Sequence, residues 1–154
     1  MPRVARAVTA AARLAAAGVV AVGFGAAAAR AHPVNWSQLA DVDTIEIQST
    51  NEDGSTRTTT IWLAVRKGEG YIRTGSTRWG ANVERNPDVV VRIAGRDYPL
   101  RATRITDPVV IEEVSEVFRQ KYGFSDAAIG IFRGLMGEPK IMRLDPRQGL
   151  GPMN

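Results

Sequence analysis

Six short β-type segments, separated by glycine-marked turns and joined by one long amphipathic helix, restrict this chain to a small antiparallel fold. Residues 44–48 alternate apolar and polar side chains, as a strand with one buried face does. Residues 57–66 are rich in Thr, Ile, Trp and Val and form the most strand-like run. Residues 71–74, 89–93, 98–105 and 140–145 complete the set. The turns between them fall at 51–55, with its Asp53-Gly54 pair, at 67–70 and at 94–96. Pro99 lies inside one of these segments. It has no N–H to give to a ladder, so it points to an edge or a bulge. The strand–helix alternation of a parallel sheet is missing. The expected architecture is a six-stranded antiparallel barrel, with a helix of residues 108–122 inserted before the last strand.

That helix has clear boundaries. Asp107 is the expected N-cap and Pro108 the first helical residue, and Gly123 ends it. Ile111, Val114, Phe118 and Tyr122 recur at helical spacing, so one face should cover the end of the barrel. Glu112 and Glu113 near its start and Arg119 and Lys121 near its end complement the helix dipole. The glutamates therefore read as helix-start charges, not as a catalytic pair. Trp36 to Leu39 reads as a helical turn. Residues 125–137 read as a weaker helix, interrupted by Gly130 and Gly134.

Residues 1–31 carry Arg3, Arg6, Arg13 and Arg30, no acid, and an apolar run over 14–29 that ends in Ala29-Arg30-Ala31. A basic start, an apolar run and small residues at the cleavage positions describe a secretory signal peptide. Cleavage after Ala31 would export the domain, to periplasm or medium, beginning at His32. The alternative is a membrane anchor formed by residues 14–29. The domain then spans 32–146, and 147–154 reads as a flexible tail. Four of the 20 basic residues lie before His32, which leaves 16 against 16 acidic ones. A nucleic-acid binder should carry its excess charge on the domain itself, so no nucleic-acid partner is expected.

The residue inventory excludes several chemistries. His32 is the only histidine and there is no cysteine, so Ser-His-Asp triads, Cys-His dyads and His- or Cys-based metal sites lack parts. No glycine-rich nucleotide motif occurs. A bound cofactor would have to carry any redox chemistry, and no catalytic residue is assigned.

The candidate site is the junction from Tyr71 to Pro87. A strand runs into Thr74, Ser76, Thr77 and Arg78, a short helix follows, and Asn86-Pro87 stops it. Free N–H groups at a helix start hold anions, and Arg78 adds a guanidinium beside them. The same residues also suit an ordinary capped turn with a solvated arginine.

Several residues, in this order and spacing, carry a family likeness. They are Trp36 and Leu39, Glu46-Ile47, Asp53-Gly54, the run Arg57-Thr58-Thr59-Thr60-Ile61-Trp62, Tyr71-Ile72-Arg73-Thr74, Arg78-Trp79, Asn82 and Asn86-Pro87. The chain resembles the flavin-binding split β-barrel superfamily from about Trp36 to Tyr122. That group includes pyridoxamine 5′-phosphate oxidase-like and deazaflavin-dependent nitroreductase-like proteins, and the likeness is nearest to an uncharacterised bacterial branch of it. The resemblance implies a six-stranded split barrel, a homodimer, and FMN or deazaflavin in a groove at the subunit interface. It places Arg57, Thr58 and Thr59 along the cofactor and the backbone of Thr60, Ile61 and Trp62 against its ring. Thr74, Ser76 and Arg78 match the phosphate-side turn, and Trp79 and Asn82 the short helix. Gly80 and Ala81 stand where relatives often carry a second aromatic residue. Trp62 and Tyr71 equally suit barrel core or dimer interface. Two functions follow as expectations. One is a flavin- or deazaflavin-dependent oxidoreductase acting on a small molecule. The other is a non-catalytic cell-envelope module that binds flavin or haem, or a dimeric structural barrel.

Overall fold

The computed structural model describes residues 33–123 and 139–147. The leader, the weaker helix expected at 125–137 and the tail beyond Arg147 lie outside the described residues.

The elements are a 3₁₀ turn at Trp36–Leu39, β1 (Thr44–Thr50), β2 (Thr56–Trp62), β3 (Ala64–Arg66), β4 (Glu69–Thr74), α1 (Arg78–Arg85), β5 (Asp88–Ile93), β6 (Arg96–Arg104), α2 (Pro108–Tyr122) and β7 (Lys140–Pro146). The strands form one antiparallel sheet in the order β2-β1-β5-β6-β7-β4-β3. Seven strands stand where six were expected, because the run 57–66 divides at Leu63 into β2 and β3. The division defines the fold. β2 and β3 are the two edges of the sheet, yet a single residue joins them. The edges must therefore meet, and the sheet curls into a barrel split along that seam.

Period-two alternation assigns the two faces of the sheet. Ile45, Ile47, Ile61, Leu63, Ile72, Val89, Val91, Leu100, Met142 and Leu144 fill the barrel interior. The 3₁₀ turn sits at one mouth and packs Trp36 into this core. α1 sits at the other, through Val83 and Trp79. The outward residues Ala64, Tyr71 and Ile141 form a second cluster with Val114 and Phe118 of α2. α2 thus covers an outer flank, not the end expected from its stripe. The side chains that alternate with the barrel core on β3, β4 and β7 are themselves apolar, and they supply a hydrophobic surface there.

Turn chemistry sets the hairpins. Lys67 and Gly68 (φ 50° and 74°) link β3 to β4, and Ala94 and Gly95 (φ 48° and 78°) link β5 to β6. Positive φ at both central residues is the geometry whose twist matches paired strands. Pro99 faces Val90 of β5, while β6 gains its other neighbour only from Leu100, opposite Pro146. Its missing N–H thus falls where β7 has ended, so the residue sits at a local edge inside a central strand.

The seam is closed by the last turn of α2. Leu63 N–H donates to the Tyr122 hydroxyl (3.1 Å) and to the Asp43 carbonyl (3.2 Å). Lys121 Nζ donates to the carbonyls of Val42 and Leu63. The Tyr122 ring stacks on Trp62 at 4.4 Å with planes 7° apart. Trp62 is therefore an outward residue packed against α2, not the barrel-core residue that was one of its expected places.

Candidate functional site

The junction between β4 and α1 is built by three local choices. Thr77 has extended backbone and its hydroxyl accepts from Gly80 N–H at 3.2 Å, which caps α1. Thr77 N–H donates to the Gly75 carbonyl at 2.8 Å, which tightens the turn before the helix. Gly80 lets that turn approach the helix. A Cβ there would lie 2.7 Å from the Gly75 carbonyl oxygen and 2.9 Å from Thr74 Oγ1. This close approach leaves no room for a side chain at position 80.

Thr74 is 3 % exposed, and its hydroxyl has no hydrogen-bond partner among the described residues. A buried hydroxyl without a partner is expensive, and most buried polar groups find one. Thr59 Oγ1 is in the same state. Both residues point into the barrel: Thr59 pairs with inward Ile47, and Thr74 follows inward Ile72 by two. β2 and β4 are in contact across the split. Two unsatisfied hydroxyls therefore face the interior on the elements that border the split, and one of them abuts the first turn of α1.

Charge gathers at the same end. Arg57 lies on the inward face of β2 opposite Ser49, and Ser49 is bonded to Asn82 of α1. Arg78 opens α1. Both arginines are exposed, and neither has a carboxylate partner among the described residues. Ser76 is exposed beside Arg78. Alternation separates the remaining candidates. Thr58, Thr60 and Trp62 point to the outer face, whereas Arg57, Thr59 and Ile61 point inward. Trp79 is half-buried against the barrel core. Asn82 is 3 % exposed and already engaged. Its Nδ2 donates to Ser49 Oγ (3.3 Å) and Asn51 Oδ1 (2.8 Å), and its Oδ1 accepts from Arg85 Nη2 (2.9 Å). It fixes α1 to the end of β1.

The junction can thus offer hydroxyls, free helix N–H groups and guanidinium to an anion. Among the described residues no cluster of His, Cys, Asp or Glu is suited to a metal ion, and no helix is long and apolar enough to cross a membrane. Sequence reading missed Lys121 and Tyr122 as the residues that close the seam. Their contacts span 58 to 79 positions of sequence, which no local pattern encodes.

The model of a bacterial family, "Uncharacterized protein conserved in bacteria (DUF2255)", matches residues 35–136. No curated protein matches the sequence. Solved structures share the fold. The conserved hypothetical protein Rv2991 of Mycobacterium tuberculosis is 18 % identical, with 81 % of this chain and 94 % of that one covered and a TM-score of 0.56. The haem storage protein HutZ of Vibrio cholerae is 15 % identical over 74 % of this chain and 89 % of its own, with a TM-score of 0.55. An F420-H2-dependent reductase is 13 % identical over 68 % and 95 %, with a TM-score of 0.51. These structures share the split β-barrel fold of this chain.

Proposed function

We propose that this chain, which belongs to the DUF2255 family of bacterial proteins, binds FMN or a deazaflavin at the split of its barrel and serves as an oxidoreductase. The observation that carries the reading is the buried, unpartnered hydroxyl of Thr74 at the start of α1, with a second such hydroxyl, that of Thr59, on the edge strand β2 that touches β4. A group with anionic oxygens at the helix start would accept from the Thr74 hydroxyl, and nothing among the described residues does so. Similar structures include a reductase that uses a reduced deazaflavin.

The residues fit the phosphate end of such a cofactor. Thr74 would donate its hydroxyl from beneath, the first N–H groups of α1 would point at the phosphate, and Arg78 and Ser76 would close over it from solvent. Arg57 and Thr59 would line the approach along β2. Bound there, the cofactor would supply hydride or electron transfer, and substrate and solvent would supply protons. β2 is an edge strand whose residues 56–58 and 60 are exposed. A second copy laid along that edge would protect it and wall the groove. We also propose that the domain works after export, with the leader removed near Ala31.

The test is the absorbance spectrum of the purified protein, followed by fluorescence titration with FMN and with a deazaflavin. Flavin-type absorbance, or saturable quenching at tens of micromolar or below, is expected, the affinity of a modest specific site. A colourless protein that quenches neither cofactor would overturn the proposal.

A further inference from the structure

The outer face of the sheet has a second, differently built recess. α2 covers the face over β3 and β4, but the part formed by β5, β6 and β7 carries polar side chains around a groove of about 630 Å³. Its lining includes Asp88, Arg101, Thr103, Arg143, Asp145 and Arg147. Register brings them together: Arg101 stands opposite Asp88 on one side and Asp145 on the other, and Thr103 opposite Arg143.

Three guanidinium groups meet the carboxylates of Asp88 and Asp145, and Glu69 beside the groove pairs with Arg143, so the charges balance and the capacity for an anion lies in the donors these pairs leave unused. Each arginine is held in place with only part of its donor set. Arg101 Nη1 bonds Asp88 at 2.9 Å. Arg143 bonds Asp145 through Nε (2.7 Å) and Glu69 through Nη1 (3.3 Å). Arg147 is anchored by main-chain carbonyls, through Nε to Leu100 (3.3 Å) and Nη2 to Val89 (3.0 Å), and its nearest carboxylate, Asp88, is 4.0 Å away. A guanidinium has five N–H donors. Among the described residues, Arg101 keeps Nε and Nη2, Arg143 keeps Nη2, and Arg147 keeps Nη1 for another acceptor. Side chains positioned by neighbours lose less freedom when they bind.

We infer that this groove binds a small organic anion. Its carboxylate or phosphate would lie among Arg101, Arg143 and Arg147, and a neighbouring hydroxyl or ammonium group would face Asp88 or Asp145. The site lies on the opposite face of the sheet from Thr59 and Thr74, so it does not depend on the flavin reading.

The experiment titrates the full chain with inorganic phosphate, succinate and glutamate while backbone amide resonances are followed by NMR. Saturable shifts at Thr103 and Asp145 are expected with at least one probe, and the tightest binder identifies the anionic group. Arg101→Gln should weaken that binding about tenfold or more. Thr103→Val, a milder change at an exposed position, should weaken it less, and Arg78→Ala should leave it unchanged. Absence of saturation up to about 10 mM with every probe, a concentration that corresponds to negligible affinity, would overturn the inference. So would shifts that persist undiminished in a folded Arg101→Gln protein.

Discussion

The hydroxyl of Tyr122 meets both main-chain polar groups of Leu63, 3.1 Å from its nitrogen and 2.7 Å from its oxygen. Leu63 is the residue at which one strand leaves one edge of the sheet and the next begins at the other. An interrupted ladder leaves backbone groups unpaired, and here Leu63 is fully buried. Tyr122 replaces the missing strand partner. Its single proton is also within reach of the Asp43 carbonyl, at 2.5 Å.

Tyr122→Phe should therefore destabilise the domain by about 0.5–1.5 kcal/mol, the range for losing a hydrogen bond, because Leu63 keeps the Asp43 carbonyl and Lys121 as partners. The ring and its stacking on Trp62 would remain. Chemical denaturation measures the change, and an unaltered midpoint would show that α2 does not close the seam.

The seam also predicts alkaline behaviour. Burial pushes the Tyr122 hydroxyl from 10.0 up to about 12. The folded state thus holds this proton after the unfolded chain has released it. The stabilisation is complete below pH 10 and declines as pH rises from about 10 to about 12. Lys121 works in the opposite sense: burial lowers its ammonium from 10.5, so its proton loss favours the folded state as pH rises toward that value. The excess stability of wild type over Tyr122→Phe should be full at pH 9 and shrink between pH 10 and 11, a comparison in which the Lys121 contribution cancels. Parallel slopes in the two proteins would contradict the assignment.

Gly70→Ala tests the other mouth. A Cβ at Gly70 would lie 2.5 Å from the Trp36 ring, which is packed into the barrel core. The ring or the hairpin must move, and forced overpacking typically costs about 1–3 kcal/mol. Thermal unfolding reads this directly. A wild-type midpoint would mean that the 3₁₀ turn is only loosely seated.

How far these features are legible in sequence follows from their range. The caps of α2, Asp107 and Gly123, are local and are found where the sequence puts them. So are the turn at Ala94-Gly95 and the alternation of Val89, Val91 and Ile93. The break at Leu63 is not legible, because Trp62, Leu63 and Ala64 continue an unbroken strand-like run. Only barrel closure, a relation between distant edges, requires it. At the site, the hydroxyl-rich helix start was readable, and the register that turns Thr59 inward and Thr58 outward depends on pairing with β1. Asn82 shows the limit of carrying a role by resemblance, since both its amide hydrogens are committed to Ser49 and Asn51.

Asn82→Ala should accordingly act on stability. It removes a buried amide whose loss leaves the buried Ser49 hydroxyl without its partner, a cost of about 1–3 kcal/mol. A lower melting temperature is expected. A protein of unchanged stability that has lost flavin would restore Asn82 to the role of direct ligand.

The sharpest prediction pairs Thr74 with Arg78. In the protein without ligand, Thr74 Oγ1 is buried with no partner among the described residues. Thr74→Val keeps the shape and removes the unsatisfied group, so the unliganded domain should become as stable or more stable. The same change should weaken FMN or deazaflavin binding, because the hydroxyl is proposed to donate to the phosphate. Arg78 is exposed at the helix start, so Arg78→Ala should leave stability unchanged. It should reduce affinity by about 1.5–3 kcal/mol, the range for a hydrogen bond to a charged group, or roughly ten- to a hundredfold. Denaturation and fluorescence titration of the two variants separate the outcomes. A loss of stability in Thr74→Val would mean that its hydroxyl has a partner in the folded protein and is not waiting for one. Full cofactor affinity in both variants would place the phosphate elsewhere in the split.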